Sequence, residues 1–492
     1  MRSIFAKPGN PGTSLRTLSA LIGVTALTAA GVVSSAQAAP TAPAADSRPA
    51  CAPPSGPPPQ TTPTTVDVMG EAYRCILTNY YSGSVLDDRT LLTGAFAGLT
   101  RELERRGTDM SRATLPALSG NRDADWAAFA RLVKQILDAA PAGARQALAE
   151  ATVNGMVAAL DDNHAHWEHP DGPPPPMPGP GYSYGLGFQT NPSVPLIDTA
   201  AAEALGPLAV ASVQGGPAAA AGLRLGDVIE AVDGAPPFID GAVSVPAVDL
   251  LHGDYPAAQP VTLTLRRPST GRVWTVSLTP EVFKPVPGAD SPVAARLLPD
   301  GMAYVSIAGF VPGVADQALA AIRALGGQTR VRGVVLDLRG NGGGAPAEVA
   351  RLLGAFEHVR PYAFDCDVSG SCVPLLPDAT VPLLRLPEAV LTDRNCASAC
   401  DAFTAAVKDL GLGAVIGTRT SGMVAGAAGG YVLGDGSLLM MPAKHQLAAR
   451  HETINGIGVA PDYFIPLTAA DLSAGRDPAL DKAVEVLGGR RR

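Results

Sequence analysis

The sequence predicts a multidomain α+β chain with three folded parts: a helical first domain, a small mostly-β domain and a larger α/β core. Three observations carry this. Ala, Leu and Arg recur at helical spacing from Val66 to about Leu160, without strand-like alternation. A proline- and glycine-rich stretch, "HPDGPPPPMPGPG" (169–181), then gives way to short alternating runs. After Pro285, strand-like and helix-like segments follow each other in turn, the pattern of a layered α/β core.

The 492 residues, 46% of them apolar, leave room for two or three domains with cores of their own. Residues 1–38 read as a secretory signal. Arg2, Lys7 and Arg16 form the positive end, Leu18 to Val33 the apolar run and Ala36-Gln37-Ala38 the small-residue cleavage site. The rival reading is an uncleaved membrane anchor, for which the run is short. Residues 39–65 form a proline-rich leader, expected to be extended. The helical domain spans 66–168 and contains two echoing small-residue strings, "LLTGAFAGLTREL" (91–103) and "LAEATVNGMVAAL" (148–160), each expected to bury one face. The linker 169–181 leads to the β domain, 182–283, with strands in "LAVASV", "DVIEAVDG" and "VTLTLRR". The core, 284–468, is expected to contain strands in "MAYVSIAGF", "RGVVLDLRG", "EAVLTD" and "GAVIGT", with helices at 313–325, 345–356 and 398–411. A C-terminal segment, 469–492, follows.

The formal charge of -8, with no Lys/Arg-rich block, argues against nucleic acid or an anionic membrane surface as the main partner. In an exported chain, six cysteines point to disulfides. Closeness in the chain suggests Cys51 with Cys75, Cys366 with Cys372 and Cys396 with Cys400; sequence alone does not choose among the pairings. No metal-ligand spacing occurs, and no cofactor is implied.

Two stretches carry chemistry. In "GVVLDLRGNGGG" (333–344) a buried strand ends in three glycines before a helix, so the amides around Gly342, Gly343 and Gly344 can face an oxyanion or a phosphate; the plain alternative is a glycine turn. The Lys-Ser/Thr ending of a nucleotide-binding loop is missing. In "TDRNCASACDAF" (392–403) Ser398 sits at a helix N-terminus, where the free amides favour developing negative charge and where a serine is also an ordinary N-cap.

Helical domain, "YGLGF" (184–188), "GGPAAAAGLRLGDVIEAVDG" (215–234), "VVLDLRGNGGG", "NCASACDAF" and "GIGVAPD", in this order, resemble the C-terminal processing (tail-specific) serine proteases and their tricorn-core relatives. The resemblance implies a PDZ-like middle domain and a ClpP/crotonase-like layered protease core. It implies peptide-tail capture on the amides near Leu186, Gly187 and Phe188. It implies Ser398 as nucleophile, with Ala399 and Gly343 or its neighbour as oxyanion donors. At the positions of the family's lysine base and its glutamine stand Met423 and Ala427, neither of which can accept a proton.

The tricorn-like branch uses a histidine near the end of the first domain, and "ALDDNHAHW" offers His164, with His166 and His169 nearby. Imidazole is a base at neutral pH. Glu452 is the expected orienting group, although the family's usual glutamate corresponds to Asn455; Lys444 and His445 are further basic groups on a probable strand. The implied protein is an extracytoplasmic serine endopeptidase acting on proteins with accessible C-terminal tails. The alternatives are a silent relative that only binds tails, and an esterase on the same scaffold.

Overall fold

Side-chain caps start the first three helices: Thr65, Asp87 and Asn121 each accept a hydrogen bond from a first-turn amide of α1 (Val66–Asn79), α2 (Asp88–Arg105) and α3 (Arg122–Ala139). α4 (Arg145–Ala158) follows one 3-10 turn. This computed structural model describes residues 51–54, 61–169, 178–179, 181–191, 206–244, 247–248, 250–251, 259–286, 291–328 and 331–489. The expected signal segment and most of the expected leader and linker lie outside them.

The two echoing strings lie face to face as α2 and α4. A Cβ on Gly98 would stand 2.1 Å from the Ala151 carbonyl oxygen, and one on Gly155 2.4 Å from that of Gly94, so the backbones themselves touch. α3 occupies the stretch between them and adds Phe129, Val133 and Ile136 to the same core. The domain then ends in a strand, β1 (His166–Glu168).

The β domain contains β2 (Ser183–Gly185), β3 (Phe188–Asn191), β4 (Ala209–Val213), the short helix α5 (Gly216–Ala220), β5 (Val228–Val232), β6 (Phe238–Ile239), β7 (Ala242–Val243), β8 (Val261–Arg267), β9 (Arg272–Leu278) and β10 (Glu281–Phe283). Five strands form a sheet in the order β3-β4-β5-β8-β9, which leaves β3 at an edge among the described residues. In β8 the period of two is plain: Val261, Leu263 and Leu265 turn inward while Thr262, Thr264 and Arg266 are half-exposed.

The core contains β11 (Val293–Leu297), β12 (Met302–Ile307), α6 (Val314–Gln328), β13 (Gly333–Asp337), α7 (Pro346–Leu353), β14 (Ala363–Cys366), β15 (Cys372–Leu375), β16 (Glu388–Thr392), α8 (Ala399–Asp409), β17 (Gly413–Gly417), β18 (Gly426–Val432), β19 (Leu438–Ala448), β20 (Tyr463–Phe464), α9 (Ala469–Ala474) and α10 (Pro478–Gly489). The central sheet runs β11-β12-β13-β16-β17-β20, parallel except at β11. Every residue of β13 and β16 is buried, as parallel strands covered on both faces require. α6, α7 and α8 pack on one face. Ala479, Ala483 and Leu487 of α10, in a segment for which no element was expected, pack against Val335, Leu391 and Ile416 on the other.

A second sheet, β1-β19-β14-β15 with β18 beside β19, joins the end of the helical domain to the core. Disulfides join Cys51 to Cys75, Cys366 to Cys372 and Cys396 to Cys400, the pairs that closeness in the chain suggested. Among the described residues, no helix is long and apolar enough to cross a membrane.

Candidate active site

β13 and β16 are parallel neighbours, with Leu336 opposite Val390, so the loops after them leave the same edge of the sheet. One is the glycine loop and the other carries Ser398. Such crevices beyond the carboxyl ends of parallel strands are natural sites for chemistry. Asn341, fully buried, pins the two loops together. Its carbonyl accepts from the Ala397 amide (3.0 Å), its Nδ2 donates to the Ile307 carbonyl (3.0 Å), and its Oδ1 accepts from the Gly343 amide (2.9 Å).

Ser398 has φ 55° and ψ -116°, a conformation that costs a non-glycine residue about 1–3 kcal/mol and persists only where the surroundings impose it. Here they do. Its amide donates to the Met423 carbonyl (2.7 Å), and the buried carboxylate of Asp401, three residues on, accepts from the amides of Gly422 (2.9 Å) and Met423 (3.1 Å). Burial pushes the Asp401 carboxyl up to about 6; the Thr420 hydroxyl and the amides of Gly422, Met423 and Ser398 pull it the other way. The Ser398 hydroxyl does not cap α8, and it has no hydrogen-bond partner among the described residues. The ordinary N-cap reading therefore fails.

Gly343 packs directly behind the serine: a Cβ there would lie 2.7 Å from Ser398 Cβ. Its amide, expected as an oxyanion donor, is already given to Asn341. The neighbouring Gly344 is exposed, lines the cavity beside Ser398 and Ala399, and keeps its amide without an internal partner among the described residues. Of the expected pair, Gly343 or its neighbour, it is the neighbour Gly344 whose amide is open to the cavity, while that of Gly343 is taken by Asn341. Ala399, first residue of α8, likewise keeps its amide free there.

His164 lies in the turn between α4 and β1. Its Nδ1 is 2.8 Å from Asn163 Oδ1. Asn163 Nδ2 donates to the Gly422 carbonyl (3.3 Å) and to Asn455 Oδ1 (3.1 Å), which in turn accepts from the Val424 amide (3.0 Å). Asn163 Oδ1 is therefore an acceptor, His164 Nδ1 carries the hydrogen, and Nε2 keeps its lone pair. Burial lowers the His164 pKa below its ordinary 6.5; Asp162 opposes this, and His166 adds to it. Asn163, which holds the histidine ring, and Ser398 are tied to adjacent residues of one loop, Gly422 and Met423, but no hydrogen bond joins the ring to the Ser398 hydroxyl among the described residues.

Glu452 does not orient the imidazole. It is exposed and acts on Asp409 at the far end of α8, about 15 Å of helix away from Ser398. Asn163, next to His164 in sequence, takes that place at Nδ1, and its only sequence signal was adjacency. The other basic groups are engaged elsewhere. His166 Nε2 is 3.2 Å from Glu168, His169 Nε2 contacts the Thr62 carbonyl (3.0 Å), and His445 stacks on Tyr81 at 5.9 Å. Lys444 Nζ is 4.0 Å from Asp367. The Met423 backbone serves the serine loop; the side chain of Ala427 lies outside the described residues.

In the β domain, Leu186 is buried in the core, and Gly187 has φ 83° with a Cβ position 2.1 Å from the Gly215 carbonyl oxygen, so only glycine fits there. The Gly187 carbonyl accepts from Gln214 (2.8 Å), and Phe188 opens edge strand β3.

Residues 301–465 match the model of peptidase family S41. The chloroplastic C-terminal processing peptidase of Tetradesmus obliquus is 34% identical over 270 residues, 50% of this chain and 54% of its own. Two tricorn protease homologues of Streptomyces coelicolor are 34% and 32% identical over 154 and 153 residues, 31% of this chain in each case and 13% and 14% of theirs. The chain thus spans about half the length of the first relative and a small part of the other two. A solved structure of the photosystem II D1 C-terminal processing protease superposes with a TM-score of 0.52 and 24% identity, covering 86% of this chain and 97% of that one, a likeness of fold.

Proposed function

This chain carries a peptidase family S41 domain over residues 301–465, and from that premise we propose that it is an extracytoplasmic serine endopeptidase with a Ser-His arrangement, acting on protein tails. One observation carries the reading: a serine hydroxyl without an internal partner, held at φ 55° beside two unspent amides. Ser398 Oγ attacks the peptide carbonyl, and His164 Nε2 takes its proton and returns it to the leaving amine. The amides of Ala399 and Gly344 hold the oxyanion, each worth about 3–4 kcal/mol in such sites. Asn163 fixes the tautomer. Because burial lowers its pKa, the ring is neutral, and so basic, at neutral pH.

The β domain, read as PDZ-like, takes the substrate's C-terminal tail as a strand beside the open edge of β3. The loop Leu186–Phe188 receives the terminal carboxylate. Three disulfides support a compartment outside the reducing cytosol.

A second reading, a tail-binding protein without turnover, is favoured by Met423 at the lysine position and by the unmade His164–Ser398 bond. Fluorophosphonate labelling separates the two. The wild type labels, Ser398→Ala does not, and His164→Ala is slowed at least about a hundredfold, within the usual share of a general base. Labelling that survives His164→Ala at the wild-type rate removes the histidine from the mechanism. No labelling of wild type leaves the tail-binding reading.

A further inference from the structure

Beside Ser398 lies a small cavity walled by Pro346, Val349, Ala402 and Ala425, with Tyr362 and Gln446 completing it. About 30 Å³ of it is open to the centre of a water molecule. One water needs about 10–15 Å³ by that measure, so the space holds two or three waters, the bulk of a two- or three-atom side chain. Gly344 and Ala399 also line it. The carbonyl whose oxygen meets their amides belongs to the residue whose side chain enters this cavity, the one on the acyl side of the cleaved bond.

The two polar members set its chemistry. Tyr362 is 3% exposed and its hydroxyl has no hydrogen-bond partner among the described residues. Gln446 is 6% exposed; its Nε2 donates to Asp365 Oδ1 (3.1 Å), which leaves Oε1 unspent among the described residues. The bond to Asp365 identifies Nε2 and leaves Oε1 as the open acceptor of the amide. Both atoms keep some access to solvent, so a side chain that fills the cavity takes that access away and leaves them unmet unless it supplies partners. A methyl or isopropyl group would fill the space and leave both unmet; a small hydroxyl would accept from Tyr362 and donate to Gln446.

We infer that this cavity selects a serine or threonine as the residue on the acyl side of the cleaved bond, with Tyr362 and Gln446 as the specificity-determining pair. The inference rests on the reading of Ser398 as nucleophile, and threonine against its isostere valine is the discriminating comparison. Two measurements on the full chain keep the two readings apart. The first is kcat/KM for peptides that differ only in Thr, Ser, Val or Leu at that position. The second is the affinity of matching C-terminally amidated peptides whose scissile bond is a reduced amide, which engage the cavity without turnover or a terminal carboxylate.

Thr is expected to bind about tenfold more tightly than Val, the effect of two satisfied hydrogen bonds, and Leu less tightly than either. Tyr362→Phe together with Gln446→Leu should erase the Thr-over-Val ratio while Val still binds. If turnover is absent but the binding ratio stands, the catalytic reading fails and the subsite survives. Val bound as tightly as Thr, a ratio unchanged in the double variant, or no binding of any of the peptides overturns the inference.

Discussion

Ser398, His164 and Asp401 show how much of the site is settled by single side chains. The acid limb of activity should belong to His164. Burial lowers its pKa, so protonation of Nε2, and with it the loss of labelling, should have a midpoint below pH 6.5. Fluorophosphonate labelling rates between pH 4.5 and 8 check this; a midpoint at or above 6.5 contradicts it. Asp401 acts in the opposite sense on stability. Its folded pKa, about 6, stands above the ordinary 3.8, so between these values the folded chain holds the proton that the unfolded chain has lost. Its contribution is full below about pH 4 and disappears as pH rises through about 6. The stability difference between wild type and Asp401→Asn should shrink by about 3 kcal/mol from pH 4 to 7 in urea unfolding. A constant difference would show that the carboxyl is not the buried, amide-bound group described. That this charge is tolerated at all fits a residue kept for placing the serine loop rather than for stability.

At the scale of elements, the helix after Ser398 was legible because Ala399, Ala402, Phe403, Ala406, Val407 and Leu410 repeat at helical spacing, and the parallel strands were legible as unbroken apolar runs. The second sheet was not. β19 is eleven residues long, yet Pro442, Lys444 and His445 interrupt any clean alternation, and its partners β1 and β14 are too short to carry a pattern. That sheet supplies Gln446 to the cavity and joins the helical domain to the core, so the pairing of His164 with Asn163 and the polar end of the cavity stayed hidden with it. Closeness in the chain suggested, without settling, the Cys396–Cys400 clamp across the serine, and the structure has it. Closing so short a loop is worth about 2 kcal/mol by chain entropy. Cys396→Ala with Cys400→Ala should cost about that in urea unfolding and also slow labelling, since the loop it holds is strained at Ser398. A stability loss with unchanged labelling would mean that the hydrogen bonds donated by the Ser398 and Ala397 amides to the Met423 and Asn341 carbonyls hold the serine unaided.

Across the whole molecule, the proposed cutting of tails, rather than merely holding them, depends on the end of the helical domain reaching a loop of the core 259 residues later. Beyond the strand pairing of β1 with β19, the contact is made by side-chain amides: Asn455 Oδ1 accepts from both Asn163 Nδ2 and the Val424 amide, and Asn163 also reaches the Gly422 carbonyl. Asn455→Ala removes the shared acceptor and leaves two donors unmet, at a cost of about 2 kcal/mol in stability. The larger effect should be on chemistry. With one of its two bonds gone, Asn163 is held by the Gly422 carbonyl alone, the His164 ring is less firmly positioned, and labelling of Ser398 should slow at least about tenfold. Binding of a C-terminal tail peptide to the β domain should stay at the wild-type level, because neither Asn455 nor Asn163 contacts that domain through any hydrogen bond among the described residues. A variant that loses stability yet labels at the wild-type rate would show that the histidine turn does not need the core loop to be held, and that the base reaches Ser398 by another route. A variant that loses labelling and tail binding together would show that the two domains act as one unit.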